Sequence, residues 1–95
     1  MKTFDSNTRH KVEELAKLVI KKQGDYGQAN ILSSPIDPKL AILVRLNDKL
    51  ARAANLIENG KDPENESLLD TAMDICGYGL ILWMLIDDTF TLPLE

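Results

Sequence analysis

Three groups of polar side chains in this chain have types and spacings suited to chemistry. The first is Arg45, Asp48, Lys49, Arg52 and Asn55, which share one continuous arc when the segment is wound as a helix. Read as a solvated face, Asp48 pairs with Arg45 three residues earlier and with Arg52 four later, at about 0.2–0.5 kcal/mol per pair. Read as a site, the two arginines are forks for phosphate oxygens, because a planar guanidinium suits bidentate contact with them.

The second group is Glu66, Asp70 and Asp74, spaced i, i+4, i+8, with Tyr78 one step further along. Like charges at this spacing repel, so the stripe calls for something cationic against it. That partner is either Mg²⁺ shared with a substrate's phosphates or the arginines of the preceding helix in an interhelix salt-bridge network. The third group surrounds Asp25-Tyr26-Gly27, from Lys22 to Asn30. Here Tyr26 is placed to stack on a base and Asp25 to cap a turn or bind a cation; in the plainer reading Gly24 and Gly27 end a helix and Tyr26 packs under a loop.

Other chemistries are poorly supplied. His10 is the single histidine, Ser33 and Ser34 have no companion base, and no Gly-rich phosphate loop is present. Cys76 lies in an apolar helical stretch without basic neighbours and reads as an inert core thiol. A lone cysteine also excludes an internal disulfide framework, and with no targeting motif the expected compartment is the reducing cytoplasm.

Positioning these groups requires a scaffold, and the composition points to helices. In 95 residues the apolar share is 44% but the aromatic share only 5%, so the core is aliphatic. The expected fold is all-α, one domain of three main helices in an antiparallel bundle. The first helix spans about 8–23, with Asp5, Ser6 or Thr8 as N-cap, Val12, Leu15, Ala16 and Val19 on one face, and Gly24 as the stop. The connection from Gln28 to Pro35 reads as a loop and a candidate lid. Asp37-Pro38 opens a second helix over about 38–59, whose core stripe is Leu43, Leu46, Leu50, Ala53, Ala54 and Ile57 and whose stop is Gly60. After a turn at 61–65 the third helix covers about 64–88. The ends, 1–7 and 89–95, read as flexible, with Leu94-Glu95 resembling a cloning scar.

The longest apolar run, Ile75 to Ile86, is too short for a bilayer and ends at Asp87 and Asp88, so no membrane partner is expected. A helix that is apolar on nearly every side nonetheless needs more cover than two neighbours provide. A homodimer or higher oligomer is therefore expected, with Tyr78, Leu82, Trp83 and Ile86 near the contact. The net charge of -4 argues against general binding to a nucleic-acid backbone.

Taken in order, the blocks Lys22-Gln23-Gly24-Asp25-Tyr26-Gly27, Val44 to Arg52 and Glu66 to Tyr78 resemble the first of the nucleotide-modification-associated domains, a small helical family common in phages. The likeness covers roughly residues 10–86. A more distant similarity is to the MazG-type all-α nucleoside triphosphate pyrophosphohydrolases, in which carboxylates from two helices hold Mg²⁺ against phosphates. Asp74 followed by Tyr78 fits the end of that family's second motif, whereas Lys17 and Thr71 stand where carboxylates would be expected.

These resemblances imply a nucleotide or nucleotide-derived ligand. Lys22, Asp25, Tyr26, Arg45, Asp48, Lys49, Arg52 and Tyr78 are the expected ligand-binding residues, and Glu66, Asp70 and Asp74 the expected Mg²⁺ ligands. The enzymatic version is pyrophosphohydrolysis by a Mg²⁺-activated water. The alternatives are a non-catalytic sponge for the nucleotide signals of host immunity and a protein-protein adaptor.

Overall fold

The computed structural model describes residues 2–60 and 67–95. The fold is all-α: α1 (Phe4–Tyr26), α2 (Ala29–Leu32), α3 (Pro38–Asn59) and α4 (Leu68–Ile86), with no strand among the described residues. α3 packs along α4, α1 makes a smaller contact with α4, and α2 sits on α3.

The first helix is longer at both ends than its apolar period suggests. Its N-cap is Thr3, whose side chain accepts from the Ser6 N–H at 3.1 Å while the Thr3 N–H donates to Ser6 Oγ at 3.1 Å. This reciprocal capping satisfies two groups at once, so Ser6 serves from inside the first turn and Asp5 and Thr8 are ordinary helical residues. At the other end Gly24 stays helical and the stop is Gly27, with φ 72° and ψ 168°, a conformation that only glycine enters readily. Asp25 and Tyr26 thus ride on the last turn of a helix.

α3 has the expected bounds. Asp37 accepts from the Lys39 N–H at 2.8 Å, Pro38 opens the first turn, and left-handed Gly60 closes the helix. Its inner face is not the expected one. Ala41, Ile42 and Leu56 are buried with Arg45, Lys49 and Arg52 half-buried beside them, whereas Leu43, Leu50 and Ile57 are exposed. The long stems of the cationic residues cover apolar surface while their heads find partners, which lets a polar arc lie inward.

α4 begins at the Ser67 cap, whose hydroxyl accepts from the Asp70 N–H at 3.1 Å, and ends at Ile86. The expected turn at 61–65 and Glu66 lie outside the described residues. Among the described residues α4 is the one helix long and apolar enough to cross a membrane by length and composition. Tyr78 and Leu82 pack inward against the core, Trp83 and Ile86 point outward, and Cys76 is exposed on α4 instead of buried in a core.

The core is small: Ile31, Ile42 and Phe90 cluster with Tyr78, Ile81, Leu82, Met84 and Leu85 around them. Two segments expected to be loose supply part of it. The connection after α1 forms α2, which delivers Ile31. The C-terminal tail turns at Asp88, φ 62°, where the Thr89 and Phe90 N–H groups donate to the Met84 carbonyl at 2.8 and 3.1 Å. Phe90 then enters the core, and Leu94 reaches the flank of α1 beside Gly24.

Candidate functional site

The four helices meet around a cleft of about 310 Å³. α1 contributes Lys22 and Tyr26, α3 contributes Arg45 and Lys49, and α4 contributes Asp74 and Tyr78. Each position follows from local structure. The late stop at Gly27 carries α1 far enough to present Tyr26, and the inward turn of α3 places Arg45 and Lys49 one helical turn apart on its packed side.

Asp74 is the electrostatic centre. Its Oδ1 accepts from Lys22 Nζ at 3.0 Å and its Oδ2 lies 3.0 Å from Lys49 Nζ, so one carboxylate ties α1 and α3 to α4. Partial burial pushes the Asp74 carboxyl up, but the hydrogen bonds and charges of Lys22 and Lys49 outweigh that and hold it below its ordinary value. Arg45 donates from Nη2 to the Asn30 carbonyl at 3.1 Å and so fixes the start of α2 against α3. Three cations and one carboxylate face the cleft, leaving it net positive in a chain that is net negative.

Six of the eleven expected site residues therefore share this cleft: Lys22, Tyr26, Arg45, Lys49, Asp74 and Tyr78. Asp25, Asp48, Arg52 and Asp70 do not line it, and Glu66 lies outside the described residues. Asp25 instead pairs with Lys21 at 2.9 Å on the outside of α1, and that hydrogen bond and charge raise the Lys21 pKa. The exposed Asp70 gives its backbone N–H to the Ser67 cap. Of the acidic stripe of α4, Asp74 is met by lysines from two helices.

The apolar walls were missing from the expected set. Gly77 is buried on the cleft side of α4, and a methyl placed on it would meet Val19 of α1 in ordinary van der Waals contact at 3.7 Å. Asn30 contributes through its backbone, which no residue-type pattern reveals.

No family model, curated protein or solved structure matches the chain.

Proposed function

We propose that this chain binds a nucleotide, or a nucleotide-derived phosphorylated small molecule, in the cleft between α1, α3 and α4. Lys22, Lys49 and Arg45 meet phosphate oxygens, and Tyr26 and Tyr78 meet the base. One observation carries this reading: Asp74 holds two lysines from different helices at 3.0 Å on the wall of a single cleft. A carboxylate in that place offsets the mutual repulsion of the two ammonium groups and keeps them in position when no ligand is present. A phosphate arriving at the cleft meets donors that are already oriented.

The size of the cleft supports a small ligand. At about 310 Å³ it lies near the lower end of the roughly 300–1,000 Å³ of ligand pockets, which suits a single nucleotide better than a polymer. Tyr26 is 68% exposed and has room to move onto a base, whereas Tyr78 is anchored against the core.

Binding without turnover is the version we favour. In the Mg²⁺-dependent hydrolase reading Asp74 is a metal ligand and must give up its two lysines, whereas in the binding reading it keeps holding them in place. Sequestration of a nucleotide signal needs only the cationic grip. The test is incubation of the protein with a nucleotide panel and Mg²⁺, followed by denaturation and mass spectrometry. Recovery of a bound, chemically intact nucleotide is expected. A cleaved product whose formation Asp74→Asn abolishes would establish the hydrolase instead.

A further inference from the structure

The outer face of α3 carries a pattern that neither the core nor the cleft uses. Leu40, Leu43, Asn47, Leu50, Ala54 and Ile57 follow one another at intervals of three, four, three, four and three, and all six are exposed. The four large apolar residues of this stripe are 45–65% exposed, and Val44, 56% exposed, lies beside it. These are the a and d positions of a heptad, with leucine or isoleucine at every d position and Asn47 at the central a position. The residues α3 turns to α4 and the cleft, Ala41, Ile42, Arg45, Lys49 and Leu56, all belong to the opposite side of the same helix.

The chain as it stands leaves too much surface open. Its accessible surface is 7182 Å², against roughly 5,500 Å² for a compact monomer of its mass. The radius of gyration is 14.8 Å, against about 12.4 Å for a compact chain of 95 residues. The excess area, about 1,700 Å², exceeds the roughly 800 Å² per partner that a stable interface buries.

We infer that α3 pairs with α3 of a second copy, parallel and in register, along this stripe. Asn47 selects the arrangement. In a parallel pair each Asn47 faces the other, and two amides satisfy one another's donors and acceptors. In the antiparallel alternative Asn47 would face Leu50, leaving a polar group buried against an alkyl side chain with its hydrogen bonds unmade. Pairing through a and d directs the opposite side of each α3 outward, so the two clefts lie on either flank of the seam and stay open to ligand.

Light scattering of the full chain is expected to give twice 10.6 kDa, and the exposed substitution Leu50→Asp is expected to halve that mass while leaving helical circular dichroism unchanged. In a Cys76→Ser background, mild oxidation of Asn47→Cys is expected to yield a disulfide-linked dimer. A monomeric wild type would overturn the inference. So would a dimer that survives Leu50→Asp but is lost in Trp83→Asp, which would assign the contact to α4, or association of the wild type with neutral phospholipid vesicles that Leu50→Asp abolishes. Crosslinking only between Asn47→Cys and Leu50→Cys chains, with neither linking to itself, would overturn the parallel register.

Discussion

Lys49 Nζ lies 3.0 Å from Asp74 Oδ2, joining α3 to α4 at the wall of the cleft. Both side chains are largely shielded from water, so the attraction is stronger than that of a surface pair, and Lys22 on α1 completes it from the other oxygen. The same three residues therefore fix the relative placement of three helices and assemble the cationic wall.

A double-mutant cycle with Lys49→Ala and Asp74→Asn measures this coupling. Exposed pairs give about 0.2–1 kcal/mol, and the shielding here is expected to put the coupling near the top of that range. Strictly additive losses in denaturant unfolding would show that the contact contributes nothing.

The pH dependence follows from the direction of the Asp74 shift. Its carboxyl is lowered in the folded chain, so the stabilisation is complete above the unfolded value of 3.8 and disappears as pH falls through the lower folded value. Wild type is expected to lose more stability than Asp74→Asn between neutral pH and that acid limb. Parallel urea midpoints for the two proteins across the range would contradict the assignment.

Local signals were legible in the sequence and tertiary ones less so. Asp37-Pro38 and Gly60 fixed α3 because caps act within a few residues. Which side of α3 turns inward was ambiguous, since the Leu43, Leu50, Ile57 stripe and the Ile42, Leu56 side both have helical period; packing of Ile42 on Phe90 and the grip of Lys49 on Asp74 decided it. Lys22, Lys49 and Asp74 were each recognisable as site residues, but their convergence spans 52 residues of chain and depends on how three helices meet. The start of α1 lies ahead of its apolar period because a reciprocal Thr3 and Ser6 cap acts through hydroxyls.

Gly27 ties fold to site. Its φ of 72° with ψ of 168° excludes a Cβ at low cost, and the residue also lines the cleft beside Tyr26. Gly27→Ala is expected to destabilise the chain by about 1–3 kcal/mol in thermal or urea unfolding and to weaken ligand binding as well. Unchanged stability would show that this turn is more permissive than its backbone angles imply.

Among the described residues Ile42 is the one large apolar side chain with no exposed surface. Truncation to alanine leaves a cavity against Ile31 and Phe90, so Ile42→Ala is expected to cost about 2–5 kcal/mol, and Ile42→Val about 0.5–1.5 kcal/mol. Equal midpoints for Ile42→Ala and wild type in urea would place the true core elsewhere.

The most direct test of the proposed function is calorimetric titration of nucleoside mono-, di- and triphosphates into wild type and Lys49→Ala. At least one phosphorylated nucleotide is expected to bind wild type. Loss of one charge-assisted hydrogen bond, about 1.5–3 kcal/mol, is expected to weaken that binding roughly 10- to 100-fold in Lys49→Ala. Absence of binding across the panel, or equal affinity in the two proteins, would contradict a nucleotide site built on Lys22, Lys49 and Asp74.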